Sequence, residues 1–419
     1  ERGGGMLAGT IGAAACLTRI TAITTLAPAW LWLVAVRDAA RRRARILRLG
    51  GAIAVTTILV APYLVNCAVQ FGDPLFAIND HTRFYRGREG ATSVPRESAV
   101  RYALDKVAAR PVATLDTAVW GLFVYPFSIK WSGIDAWQPG LGRLLSWFSV
   151  AGLVAWLWQR SGRLLLLVLG GSLVPYMLTW VVPGGGEWRF TLHAYPFYLL
   201  AAFWMMEWLV SAARTALGRG APATLAAIPR QQALVTTAVL AALALAAVGW
   251  TFAMPYLIAR ESLLAGDGAG IIASSRDRWL FTEGWSSLVV SGNVVSRFTT
   301  QASATMRIPL PEPRPYKLIL RMDPFHYADA PPQNVRVLLN QQPVGAFDLA
   351  WNPDRIGEYQ VLLPAYAARV GANVLTVASD TLNPIGRAGR VFPEIPRDEQ
   401  VGIRLWYVRI IPASGAAGA

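Results

Sequence analysis

Two patterns of apolar and polar positions divide the chain. Up to about residue 258 the apolar residues run continuously, at Thr21–Val36, Ile46–Val69, Leu144–Trp158, Leu164–Val182, Phe190–Val210 and Ala233–Ile258. Crossing a hydrocarbon core of about 30 Å takes about 20 apolar residues in a helix, so these runs predict membrane-crossing helices. Beyond Ile258 the runs shorten to strand length: Thr305–Ile308, Tyr316–Met322, Asn334–Leu339, Val344–Leu349, Tyr359–Leu363, Asn373–Ala378 and Val401–Ile410. Apolar residues alternate there with polar ones, as Val335, Val337 and Leu339 do with Arg336, and as Val401, Ile403, Leu405 and Tyr407 do around Arg404. Period two, punctuated by Gly, Pro, Asn and Asp, predicts an antiparallel sandwich, and its length suits a jelly roll.

The fold expected is therefore an α-helical polytopic membrane domain followed by an extracytoplasmic all-β sandwich of jelly-roll type. The boundaries read as residues 1–258 for the membrane domain, with a large outer loop at 71–140, a connector at 259–280, the sandwich at 281–413 and a disordered tail at 414–419. The first residues, ERGGGMLAGT, lack an initiator Met and the layout of a signal peptide. They read as a chain entered in the middle, with further helices expected upstream.

Composition agrees with the membrane reading, since 54% of residues are hydrophobic and only 15% charged. Charge then orients the helices. Arg37–Arg48 holds six arginines against one acid, and Ser211–Gln232 holds Arg214, Arg219 and Arg230 with no acid. The positive-inside rule makes both cytoplasmic. Counting crossings from there puts 71–140 outside, where eight basic and seven acidic residues nearly balance, and puts the sandwich outside as well. Val112–Phe127 is apolar too, but a crossing there would invert every later basic loop, so it reads as re-entrant or interfacial. The net charge of +14 follows the loops rather than one face, and no nucleic-acid partner is expected. The bilayer is the partner, and the expected location is the inner (plasma) membrane.

Candidate chemistry lies on the outer side. The loop Phe71–Gly90, FGDPLFAINDHTRFYRGREG, carries Asp73, Asp80, His81, Arg83, Tyr85, Arg86, Arg88 and Glu89 between stretches with almost no charge. Arg19 stands between two apolar stretches in LTRI, and Glu187, Arg189 and His193 share EWRFTLH at the start of an inward run. Arginine's planar fork matches phosphate oxygens, so Arg19, Arg83, Arg86 and Arg189 are candidates for holding a lipid phosphate. Snorkelling at an interface accounts for Arg19 and Arg189 equally well. Asp80, His81, Tyr85, Glu187 and His193 are candidate substrate-contacting residues. Asp73 sits in a Gly-Asp-Pro turn, and the catalytic residue stays unassigned. The histidines His81, His193 and His326 show no metal-ligand spacing, Cys16 and Cys67 lie inside apolar stretches, no phosphate-cradling glycine motif is present, and no cofactor is expected.

On Leu17–Arg19, on Ala61–Phe76 (APYLVNCAVQFGDPLF) and on Glu187–Leu200 (EWRFTLHAYPFYLL), the chain resembles the GT-C class of multi-span bacterial glycosyltransferases. The resemblance implies transfer of a sugar from a polyprenyl-phosphate donor to an extracytoplasmic glycan, lipid or protein acceptor. It also implies an acidic base in a first outer loop, which this chain lacks, so the chain is expected to be the C-terminal part of such an enzyme. The alternative is a non-catalytic membrane component of envelope polysaccharide assembly or export, with a glycan-binding sandwich. A transporter would need ionisable residues within the spans, where Glu207 alone occurs.

Overall fold

The computed structural model describes residues 3–35, 42–88, 97–119, 141–177, 193–216, 230–273, 277–291, 294–327, 330, 332–351, 356–388 and 392–413. The chain folds as two units, Glu1–Leu245 and Ala246–Ala419.

The first unit is helical. Its described helices are α1 (Gly3–Thr18), α2 (Ile23–Ala35), α3 (Arg42–Phe71), α4 (Phe76–Arg88), α5 (Ala99–Ala109), α6 (Pro111–Val119), α7 (Leu141–Trp156), α8 (Arg160–Met177), α9 (Tyr195–Ala216) and the first turns of α10 (Arg230–Leu264). Small residues and hydroxyls set the crossings. The Thr56 hydroxyl of α3 donates to the Gly9 carbonyl of α1 at 2.9 Å, and the Thr24 hydroxyl of α2 donates to the Gly171 carbonyl of α8 at 2.7 Å. On α7 the Ser149 hydroxyl donates to the Tyr198 carbonyl of α9 at 2.8 Å. One turn on, a methyl group at Gly152 would lie 2.1 Å from the Ala201 carbonyl oxygen. Such close backbone approach lets the two helices pack tightly along their length. Among the described residues, three helices are long and apolar enough to cross a membrane, over Arg43–Phe71, Tyr195–Arg214 and Leu234–Leu264.

The structure corrects the reading of Phe71–Gly90 as a loop. Gly72, at φ +69°, ends α3, and Asp73 starts α4 by accepting the Leu75 N–H at 2.8 Å and the Asn79 amide at 2.9 Å. The charge density that read as a loop is the polar surface of a helix. Of the expected re-entrant stretch Val112–Phe127, the part up to Val119 belongs to α6 and the remainder lies outside the described residues.

The second unit is a β-sandwich joined to the last turns of α10. Its strands are β1 (Ala269–Ile272), β2 (Phe281–Glu283), β3 (Val289–Ser291), β4 (Val294–Phe298), β5 (Ser303–Leu310), β6 (Tyr316–Asp323), β7 (Gln333–Leu339), β8 (Gln342–Leu349), β9 (Gly357–Leu363), β10 (Gly371–Ser379), β11 (Asn383–Pro384), β12 (Gln400–Val401) and β13 (Arg404–Pro412). One sheet runs β3-β4-β13-β6-β9 with β1 also on β13, and the other runs β2-β5-β10-β7-β8. The eight main strands thus divide between the sheets in the order of a jelly roll, β4-β13-β6-β9 facing β5-β10-β7-β8.

Alternation builds the core. Tyr316, Leu318, Leu320 and Met322 of β6 face Met306, Ile308, Val335, Val337, Leu375 and Val377 of the other sheet, all fully buried. The residues read as a connector, 259–280, carry β1 and supply Ala259, Leu263, Ala269, Ile271, Ala273 and Leu280 to this core. On β13 the expected alternation breaks, because the register shifts between Leu405 and Tyr407. The extra residue turns Tyr407 outward and Val408 into the core.

Candidate functional site

The ends of β4, β6, β8 and β10 and the starts of β7, β9 and β13 meet at one end of the sandwich, as their registers require: Met322 opposite Gly357, Gln333 opposite Leu349, Val335 opposite Ser379, and Arg404 opposite both Asp323 and Phe298. A smaller core lies beneath this end, made of Val289, Phe298, Phe325, Ile385, Phe392, Ile395 and Val401.

Charged groups are buried here, and each has partners. Asp323 closes β6 and accepts the Gly357 N–H at 3.1 Å and the Trp406 indole N–H at 3.3 Å. Burial pushes its carboxyl above the ordinary carboxylate range, while those two bonds and the charges of Arg404 and Arg321 pull the other way. Arg404 donates from Nε to the Ser296 hydroxyl at 2.8 Å, and its guanidinium lies 4.1 Å from the centre of the Trp406 ring. On the same face Tyr407 hydrogen-bonds Glu358 at 2.5 Å, and Arg321 lies over the Tyr407 ring.

Two amides hold the surface loops. Gln333, 1% exposed, accepts the Phe325 N–H at 2.9 Å and donates to the Thr381 carbonyl at 3.3 Å, tying the segment after β6 to the one after β10. The Tyr327 hydroxyl and Arg387 both donate to Asn383 Oδ1, at 3.1 and 3.3 Å. Between these anchors His326 turns outward and stacks on Trp351, with ring centres 4.5 Å apart and planes 7° from parallel. Trp351 is 45% exposed. The other tryptophans here are occupied: Trp406 is buried on Arg404, and Trp285 donates to the Thr305 carbonyl at 2.8 Å. The sequence signal for the stack is weak, since His326 and Trp351 lie 25 residues apart and only the fold joins them.

In the helical unit, Arg19 is the extended residue between α1 and the turn Ile20–Ala22, with φ −155° and ψ 107°. Helix α4 packs against that turn, so the structure brings the segment bearing Arg19 beside the one bearing Asp80, His81, Arg83 and Arg86. Asp80 and Arg83 form an exposed pair at 3.7 Å, and His81 Nδ1 lies 2.8 Å from the Ala77 carbonyl. Arg86 pairs with Glu97 at 2.8 Å and covers the Tyr102 ring at 4.7 Å, while Asn79 accepts the Ala99 N–H at 2.9 Å. These bonds clamp α4 to α5. His193 is exposed just before α9. Glu187, Arg189 and the side chain of Tyr85 lie outside the described residues. Among the described residues no group of three His, Cys, Asp or Glu side chains is placed to hold a metal ion.

No protein-family model matches the chain, and no curated protein does. Among solved structures, the sandwich is similar to carbohydrate-binding modules. A family 35 carbohydrate binding module from an environmental isolate is 12% identical, with 32% of this chain and 93% of that one covered and a TM-score of 0.21. A family 35 module from Clostridium thermocellum is 15% identical over 35% of this chain and 99% of that one, with a TM-score of 0.22. A CBM36 module in complex with calcium and xylotriose is 10% identical over 34% and 98%, with a TM-score of 0.21.

Proposed function

We propose that the chain is a membrane-anchored component of envelope glycan assembly whose jelly roll binds a glycan at the His326–Trp351 stack. One observation carries the reading: a tryptophan left 45% exposed, its ring held parallel to the imidazole of His326, whose neighbour Phe325 is anchored by a fully buried glutamine. Leaving that much indole in water forgoes hydrophobic stabilisation of about 25 cal/mol for each Å² of apolar surface. A flat apolar face recovers it by covering the C–H face of a sugar ring. Titration of the full chain in nanodiscs with oligosaccharides released from envelope polysaccharide tests this. Trp351→Ala should lower affinity at least tenfold with the fold intact, and unchanged binding overturns the assignment.

A second reading, a membrane glycosyltransferase of the GT-C type using a polyprenyl-phosphate-sugar donor, is favoured by a different observation: α4 packs beside the break at Arg19. Arg19 and Arg83 would then hold the donor phosphate and stabilise charge on the leaving group. Arg86, turned toward Glu97, would brace α4. Arg19→Gln and Arg83→Gln should each lower sugar transfer from polyprenyl-phosphate-sugar in membranes carrying the full-length protein. Transfer at the normal rate in both variants sinks this second reading.

A further inference from the structure

Helix α10 changes character along its length. From Leu234 to Ala253 it is apolar and largely exposed, with Leu234 63%, Leu245 74%, Val248 54% and Phe252 46% exposed. From Met254 one side becomes buried: Met254, Ala259 and Leu263 are each 6% exposed or less, and the last two belong to the sandwich core. At 1.5 Å per residue, Leu234 to Met254 spans about 30 Å, the thickness of a hydrocarbon core. The switch from all-round exposure to one-sided packing thus falls where a membrane-crossing α10 would leave lipid.

Two loops of the second unit reach this same turn. Trp279 packs against Phe252 with ring centres 3.9 Å apart and planes tilted by 35°, beneath the Arg278 guanidinium at 4.2 Å, and its indole N–H finds no partner among the described residues. One helical turn on, a methyl group at Gly371 would lie 3.9 Å from the Tyr256 hydroxyl, which places the turn between β9 and β10 here as well. That turn is rigid: Asn373, fully buried, accepts the Arg369 N–H at 2.8 Å and donates to the Arg369 and Gly371 carbonyls, while Asn340 donates to the Ala367 carbonyl at 2.8 Å. Ala367 and Ala368 point into the core, and the same turn drives Tyr366 (77% exposed), Arg369 and Val370 (65% exposed) outward.

We infer that this end of the jelly roll is a membrane seat, in which Tyr366, Val370 and Trp279 enter the interfacial layer of the bilayer and Arg278 and Arg369 meet lipid phosphates. The inference rests on α10 crossing the membrane. Tyrosine, tryptophan and arginine are the side chains that favour that layer, with an apolar body and a polar tip. The occupant is a lipid surface rather than a second protein because the patch continues directly from the apolar face of α10.

The test uses the full chain, with Cys16 and Cys67 replaced by serine, reconstituted in vesicles of equal parts phosphatidylcholine and phosphatidylglycerol. An environment-sensitive fluorophore is placed in turn at Tyr366→Cys, Val370→Cys, Trp351→Cys and Leu245→Cys. Nitroxide-labelled lipid should quench the probe at 366 and 370 several-fold more than at 351, while iodide quenches in the opposite order. If the probe at 245 is quenched by lipid but those at 366 and 370 behave like 351, the seat is refuted while the span stands. If the probe at 245 is itself open to iodide, the crossing fails and the seat fails with it.

Discussion

Replacing Gln333 with leucine tests whether the His326–Trp351 platform depends on the amide beneath it. Gln333 is 1% exposed, and leucine fills nearly the same volume, so the substitution removes hydrogen bonds with little cavity. The Phe325 N–H, 2.9 Å from the lost oxygen, is left buried without an acceptor, which costs about 1–3 kcal/mol. The Thr381 carbonyl loses a longer bond of 3.3 Å but keeps the Ser379 hydroxyl at 3.1 Å, so its share is about 0.5 kcal/mol. The sum, roughly 1.5–3.5 kcal/mol, corresponds to about 3–14 °C in the melting of a unit of this size. Thermal unfolding of the full chain, followed by hydrogen exchange of peptides from β6 and β7, reads both quantities. The Phe325 amide should lose protection, and glycan binding should weaken through loosening of the segment that carries His326, although Gln333 itself is buried away from ligand. A melting point within a degree of the parent, with Phe325 still protected, would refute the reasoning.

Three further outcomes are expected. The Asp323 carboxyl titrates above its ordinary value of 3.8, so the native state holds a proton that the unfolded chain releases; stability should fall as pH rises above 3.8 and level off beyond the native value, and Asp323→Asn should flatten that slope in melts across the acidic range. In the helical unit, Gly152→Leu must push α7 off the Ala201 backbone and break the Ser149–Tyr198 bond, lowering stability by about 1–3 kcal/mol or more in detergent melts; equal stability would mean the two helices do not cross there. Arg86→Met removes the partner of Glu97 and the cover of Tyr102, and should cost roughly 1–2 kcal/mol, seen as faster amide exchange at Thr82 and Ala99; unchanged exchange would show that α4 is held to α5 by other means.

Periodicity made much of the fold legible. The alternation of Val335, Val337 and Leu339, or of Tyr316 through Met322, has only one pleated solution, and those strands lie where it places them. Pairing across a long separation leaves no local trace of β1, and β2, β3 and β4, of three to five residues, are too short to show period two; the bulge at Trp406 that reverses the alternation of β13 is equally silent in the sequence. The charged segment after Phe71 misled for a definite reason. Gly-Asp-Pro is a turn signal, but here the turn is two residues deep and Asp73 caps the helix that follows it. Arginine content made Arg19, Arg83, Arg86 and Arg189 candidates alike, whereas the pairing of Arg86 with Glu97 needed the α4–α5 fold. His326 and Trp351 carry no shared motif, and their juxtaposition depends on the β6–β7 and β8–β9 connections opening at the same end of the sandwich.

The place of β13 in its sheet has a consequence for how the second unit comes to exist. β13, the last of the described strands, is a central one, paired with β6 along one edge and with β1 and β4 along the other. Until it arrives, β6 and β1 have open edges and the core lacks Leu405, Val408 and Ile410. Pairing Ala269 with Ile410 closes a loop that spans nearly the whole unit, which makes folding slow and late. During synthesis the edges of β6, β1 and β4 that face β13 therefore stay open and adhesive until β13 emerges. A stop codon or protease cut ahead of Arg404 would not trim the sandwich but remove its keystone, and the expected product is an aggregate instead of a smaller domain.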